Sequence, residues 1–544
     1  MGCPWGQPIL VESRDMETLK ERTTRGLFWG GMNNVVQQGL GLLFGIILGR
    51  LLNPEDYGMI AMILVFQLIA TALQESGFKS AIGNLKEPQH NDYNSVFWFN
   101  IIVGVTCYVI LFFVAPFIAD YYHTPELVLL CRVAFLTIIF AALGTAQSAY
   151  LFRNMMVKEQ AKCNMTATLL SSIIGVTLAF LKCGYWALAI QSMAYIGLNS
   201  MLLWYFSPWR PTLRLDFGPV KHMFRFSSKL LATTILERIN TNVMNILLGR
   251  HFTKHEVGNY NQAYQWNSKV FYLLQGTLAQ VAQPVFTNVA DEQERQLRIL
   301  RKLMRFTAFL AFPLLFGFGM VAQEFIVLTI GEKWLESARL LQLLCISGAF
   351  IPICSVLTNM LISKGKSGTY FWVTLVLCVT LIATMQVLYP YGIRTMVIGY
   401  VIIYVLWTLV WHFFVSRLTG YTLWALLLDI MPFAVIAFGV MAATWWGSLA
   451  VGHWLLADGT WQLAIGNTLS HAYRDGSGIV LCCHAPASSK DTRRVHELLA
   501  QKIISDKFLV ISFQQIFDER IITLCTLRRI SQQDACRGIS LRAL

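Results

Sequence analysis

The chain has 544 residues, 55% hydrophobic and only 13% charged, with a mean hydropathy of +0.53. Those values exclude a soluble enzyme, a disordered chain and a fibrous repeat, and fit a polytopic membrane protein that is apolar both inside and on its lipid face. Lys plus Arg number 43 against 30 Asp plus Glu, a net charge of +13, which in a membrane protein reads as the positive-inside bias and not as nucleic-acid binding.

Residues 1–25 are polar and carry Arg14, Lys20, Arg22 and Arg25. Met16–Arg25 forms a compact basic lead-in, with Met16 as a candidate start, and the first span then serves as an uncleaved signal anchor. A bilayer core about 30 Å thick needs about 20 apolar residues per helix. Thirteen segments qualify: 26–49, 58–78, 95–119, 127–152, 163–181, 184–206, 230–249, 270–290, 306–330, 338–363, 369–389, 392–416 and 424–451. They divide into an N-terminal six-helix lobe (26–206), an inter-lobe linker (207–229, with Pro208, Pro211 and Pro219), a C-terminal six-helix lobe (230–417) and an extra span at 424–451. Residues 250–269 read as an outside connection. Connections on the N-terminal side carry 22 Lys/Arg and those on the other side 8, counting Arg339 and Arg394 in the first turn of the spans that follow, which places the N-terminus in the cytoplasm. Residues 458–544 carry 11 Lys/Arg and 8 Asp/Glu. Here the expectation is either a poor fourteenth span near 453–470 or a tail that is not a native continuation.

The sequence repeats itself. Leu48-Gly49-Arg50 recurs 200 residues later as Leu248-Gly249-Arg250, Gly58 aligns with Gly258, and Asp56 with Glu256. Asn33, Asn34, Gln37 and Gln38 align with Thr233, Thr234, Glu237 and Arg238. An offset of six spans keeps the orientation, so the halves are expected to be related by an axis along the membrane normal, with a central site between them.

Two spans carry polar stripes. Asn33 and Gln37, and Asn34 and Gln38, are four apart and share a face. In the seventh span Thr233, Thr234, Glu237, Arg238, Asn240, Thr241, Asn242 and Asn245 fall within about 200° of arc. Lipid cannot satisfy such a face, so it meets protein or water. It is either glue between helices or the wall of a hydrated cavity, and its width favours the cavity. Glu237 and Arg238 each cost about 2.5–3.5 kcal/mol near the centre of an isolated span. Arg238 suits a phosphate and Glu237 a proton or Na⁺, with a structural ion pair as the alternative. Glu75, Glu324 and Asp429 are single acids within spans. Asn53-Pro54-Glu55-Asp56 reads as a helix start, in which Asn caps and the acids complement the dipole. Gly331-Glu332-Lys333-Trp334 reads as an outside turn with an interfacial Trp. The 12 cysteines show no CxxC pair and read as small fillers. No P-loop, metal-ligand spacing or nucleophile elbow is evident, so neither cofactor nor enzymatic activity is expected.

In order along the chain, Leu48–Gly58, Gly77-Phe78 with Ala81-Ile82, Phe97-Trp98-Phe99-Asn100, Gly258–Tyr264, Pro284-Val285-Phe286, Pro313, Gly331–Trp334 and Leu341–Leu344 resemble the Wzx-type polysaccharide flippases, within the superfamily that includes the multidrug MATE exporters. The resemblance covers roughly residues 17–450 and implies an all-α, MATE-like membrane protein of two six-helix lobes in parallel pseudo-two-fold repeat, with one or two extra C-terminal spans. It implies transfer of an undecaprenyl-diphosphate-linked oligosaccharide across the bacterial inner membrane by alternating access, through a cationic central cavity. H⁺ or Na⁺ as coupling ion and hand-over to polysaccharide polymerase machinery are further expectations. Arg238, Arg25 and Arg50, in that order, are the candidate anion contacts on physical grounds, with Glu237, Asn33, Asn34, Gln37, Gln38, Asn242 and Asn245 as further lining. Members usually have fourteen spans, and no convincing fourteenth is found here. The alternatives are a MATE-like cation-coupled drug exporter and, more remotely, a membrane polymerase or acyltransferase. The last would need an intramembrane His, and His412 reads as interfacial.

Overall fold

Away from water a chain must satisfy its own backbone, and a helix does so within one segment. The computed structural model accordingly consists of helices, with no strand among the described residues. It describes residues 19–457 except 76–77, 79–81, 83–87, 214–215 and 289–291. Gly77, Ala81, the side chains of Arg25, Pro284 and Val285, the Met16 start and the tail beyond residue 457 therefore lie outside the described residues.

The helices are α1 (Leu19–Leu51), α2 (Pro54–Glu75), α3 (His90–Tyr121), α4 (Leu127–Ala134), α5 (Leu136–Arg153), α6 (Val157–Phe180), α7 (Tyr185–Phe206), α8 (Gly218–His251), α9 (Lys254–Asn288), α10 (Gln293–Met320), α11 (Ala322–Ile330), α12 (Leu335–Ser363), α13 (Ser367–Leu388), α14 (Ile393–Thr419) and α15 (Leu423–Ala457). α4 and α5 form one passage interrupted at Phe135, and only Val321 separates α10 from α11. Among the described residues eleven stretches are long and apolar enough to cross a membrane, and the 34-residue α8 and 35-residue α9 are long helices too polar to count. Residues 1–446 form one compact unit and 447–544 a second. Of the second, only the last turns of α15 are described.

The surface of the bundle is what lipid requires. Phe113, Phe117 and Leu328 are exposed, as are Val435, Ile436 and Phe438 on α15, whereas a protein in water rarely leaves so much apolar surface uncovered. α15 is tied to α10 by its one buried acid. Asp429 receives hydrogen bonds from Arg301 Nε at 2.9 Å, Arg305 Nε at 2.6 Å and the Tyr421 hydroxyl at 3.1 Å. A fully buried carboxylate needs that company, so Asp429 is structural.

Three sequence expectations are corrected. The linker is shorter than 207–229, because α8 already begins at Gly218. The stretch 250–269 is not a loop. Only Phe252 and Thr253 separate α8 from α9, since 254–269 is a helix whose inward polar face depressed its hydropathy. Trp334 is not interfacial: it is 0% exposed, donates from Nε1 to the Gly49 carbonyl at 2.8 Å and meets Tyr57 edge-to-face.

Candidate functional site

The repeated segments meet at one end of the bundle. Pro54 and Lys254, 200 residues apart, each begin a helix. The Asn53 amide donates to Asp56 Oδ2 at 2.9 Å and the Thr253 amide to Glu256 Oε2 at 3.0 Å, so each acid closes its own helix start. A Cβ on Gly58 would stand 2.0 Å from the Lys254 carbonyl oxygen, and one on Gly258 would stand 1.8 Å from that of Pro54. Each half thus presents a glycine to the first carbonyl of the other half's helix, and α2 and α9 touch backbone to backbone.

The Gly-Arg pairs extend this reciprocity. A Cβ on Gly49 would lie 2.7 Å from Ile330, and one on Gly249 would lie 2.7 Å from Tyr122. Arg50 donates from Nε to the Thr329 carbonyl at 2.6 Å and from Nη2 to that of Leu328 at 2.7 Å. Arg250 donates from Nη1 to the Tyr121 carbonyl, and the same nitrogen lies 2.8 Å from His123 Nε2. Each arginine caps the C-terminal carbonyls of a helix in the opposite half, where a cation complements the dipole. Lys333 Nζ adds bonds to the Arg50 and Leu52 carbonyls, and Lys254 pairs with Glu126 at 2.5 Å. Leu48, Tyr57, Tyr122, Leu248, Tyr260, Ile330 and Trp334 join in one core cluster drawn from both halves. This end is sealed.

Exposure rises away from the seal on three central helices. On α8, Asn242 and Asn245 are buried, while Glu237 and Arg238, further from the seal, are exposed. On α9 the residues from Val257 to Ala263 are buried, and Tyr272 and Leu273 are exposed. On α1, Leu48 and Gly49 are buried, and Asn34 and Gln38 are exposed. α1 packs on α6 and reaches the second half near the seal through α11.

A residue that the sequence reading placed in a loop occupies the gap between α1 and α9. Lys269 lies well inside α9, its Nζ 4.2 Å from the centre of the Trp266 ring and 3.5 Å from where a Cβ on Gly45 would stand. Asn34, Gln38, Gly41 and Gly45 fall within about 60° of arc on α1, and Gln262, Trp266 and Lys269 within about 60° on α9. The polar face of α1 therefore turns toward the ammonium, and the glycines leave it room. Among the described residues no carboxylate pairs with Lys269 or with Arg238. One signal could have found Lys269: an offset of 200 from Pro54 predicts a helix starting at residue 254.

The other singled-out residues separate. Gln37 accepts from Thr168 Oγ1 at 2.7 Å, and so is glue between α1 and α6. Asn33 is half-buried beside it. Glu237 accepts from the Tyr370 hydroxyl at 2.5 Å, which links α8 to α13. Asn242 donates to the Arg238 carbonyl at 2.9 Å, and Asn245 faces Asn242. Arg50, expected as an anion contact, spends its donors on helix carbonyls in the seal. His412, expected at the interface, is buried against Tyr421.

The profile of a family described as polysaccharide biosynthesis protein matches residues 47–339. The lipopolysaccharide biosynthesis protein WzxC of Escherichia coli (strain K12) is 28% identical over 65% of this chain and 72% of its own length. The succinoglycan biosynthesis transport protein ExoT of Rhizobium meliloti (strain 1021) is 25% identical over 65% of this chain and 72% of its own. Among solved structures, the lipid II flippase MurJ in an inward closed conformation superposes with a TM-score of 0.59 at 15% identity, over 78% of this chain and 100% of that one. An inward-facing multidrug resistance MATE family transporter gives 0.57 at 15% identity, over 71% and 96%. The fold is thus MATE-like, as the resemblance implied.

Proposed function

The chain belongs to the polysaccharide biosynthesis protein family, and from that premise we propose that it carries an undecaprenyl-diphosphate-linked oligosaccharide across the bacterial inner membrane for surface polysaccharide synthesis. The two halves act as lobes that alternate around a central cleft. The observation that carries this reading is the pairing of a pseudo-symmetric seal at one end with two cations beyond it, Lys269 and Arg238, that no carboxylate pairs with among the described residues. A diphosphate needs cations held without competing carboxylates, and amides such as Asn34 and Gln38 suit sugar hydroxyls. The excess of cations on the N-terminal side of the bundle supports a cytoplasmic N-terminus and a periplasmic seal, with the cleft facing the leaflet where such lipids are assembled. The name of ExoT, a transport protein of succinoglycan biosynthesis, supports transport over enzymatic synthesis. Export of a cationic drug is the weaker reading, since Lys269 and Arg238 would repel it.

The test is complementation. The full chain, expressed in a bacterial strain lacking its own flippase and supplied with a matching repeat unit, is expected to restore surface polysaccharide, and Arg238→Ala to lower the yield. Membrane-inserted protein that restores none of a panel of repeat units, yet confers resistance to cationic drugs, would overturn the proposal.

A further inference from the structure

His123 stands out against its counterpart in the other half. Tyr122 and Ile330 occupy equivalent places, each packed on the glycine of a Gly-Arg pair. The next residue is His123 in the first half and Gly331 in the second, and both have left-handed backbones, with φ of 52° and 103°. Glycine adopts that conformation freely, whereas a side chain there is uncommon and strained. The turn itself does not ask for histidine.

What the imidazole does is visible. Arg250 Nη1 lies 2.8 Å from His123 Nε2, and because a guanidinium has donors only, that contact is a hydrogen bond when Nε2 carries no proton. Arg50, the other half's equivalent of Arg250, meets backbone carbonyls instead, and these cannot titrate. We propose that His123 is a proton site in the seal: a proton taken from the periplasmic side replaces the acceptor at Nε2 with a second cation facing Arg250, and so releases the contact and favours opening of the seal. This rests on the reading of two alternating lobes and names H⁺ as the ion that biases them.

The neighbouring groups leave that role to His123. Glu126, three residues on, is held by Lys254 of α9. Arg250 also lies over the Tyr121 ring. Burial pushes the Tyr122 phenol up, so it stays protonated. The Asp120 carbonyl accepts from the His123 amide. His251 stacks on Tyr389, and His255 lies 3.7 Å from the Glu336 carboxylate, so neither holds a guanidinium by a hydrogen bond among the described residues. The sign is fixed by the contact. The bond from Arg250 needs an unprotonated Nε2 and is lost when a proton binds there.

The test uses the full chain in vesicles, with its 12 native cysteines replaced and spin labels at Leu181 and Tyr391, exposed residues at the sealed end of each half. Lowering the outside pH from about 8 to about 5 is expected to lengthen the distance between the labels. His123→Gln, which keeps an acceptor, and His123→Gly, which keeps the backbone conformation, are both expected to lose that response, and His255→Gln to retain it. A full response in both His123 variants, or none in the parent, would overturn the proton site. The two readings fail separately: in the first case the lobes still move, and only a distance that also ignores added lipid-linked oligosaccharide speaks against alternation itself.

Discussion

Replacing Lys269 by alanine lowers surface polysaccharide about ten- to a hundredfold in complemented cells, and replacing it by arginine preserves most of it. The magnitude follows from the loss of a hydrogen bond to a charged group, about 1.5–3 kcal/mol, read as affinity. The reason lies in the surroundings of the ammonium. It sits on a helix packed between the spanning helices α2 and α12, over the Trp266 ring and opposite Gly45, and among the described residues it has no carboxylate to neutralise it. An intramembrane charge held that way marks a ligand path by default. Gly45→Leu is expected to act in the same direction, because a bulky side chain fills the space that the ammonium occupies. Equal polymer from Lys269→Ala and the parent at matched membrane levels would remove Lys269 from the site.

The second large effect is expected at the crossing of α2 and α9. Gly58→Ala and Gly258→Ala each place a methyl about where the facing carbonyl oxygen stands, and the obstacle is backbone, which cannot swing aside as a side chain can. Overpacking of this kind costs about 1–3 kcal/mol. Each variant should unfold at lower temperature and hold the seal open, and transport should fall in both. Because the contacts are reciprocal, the double variant should be less than additive: once the helices have separated, the second methyl meets nothing. Gly276→Ala, with open space around its Cβ position, is the control and should leave both readouts unchanged. Additive losses, or a seal that stays shut in the single variants, would refute the crossing as the point of closure.

Much of this was legible before any coordinates. Apolar segments of bilayer length gave the helices, because a membrane forces the backbone to bond within each segment. The Leu-Gly-Arg repeat, with Gly58 and Gly258 in register, announced two like halves. Its use was not legible: glycine and arginine in a turn can cap, bind or bend, and only the packing shows that Arg50 holds Leu328 and Thr329 while Arg250 holds Tyr121. Hydropathy failed along α9, where a helix lining a cleft is polar on one face and averages to a loop, and Lys269 went with it. The polar quartet of α1 was read as one face, yet Gln37 bonds to Thr168 while Gln38 is exposed. Four-residue spacing places residues on a side of a helix, and the neighbours decide what each of them meets. Asp429 gave too little as a single acid, since its partners Arg301 and Arg305 lie more than 120 residues away in sequence.

The most direct measurement is made with the seal under control. Glu126→Cys and Lys254→Cys replace an ion pair between the halves with two thiols that a short reducible cross-linker can join. The purified full chain is placed in vesicles carrying a labelled lipid-linked oligosaccharide on one leaflet, and its appearance on the other leaflet is followed. Alternation around a sealed cleft predicts transfer before cross-linking, arrest while the bridge is intact, and recovery on reduction. Transfer that continues unchanged through a complete cross-link would contradict it.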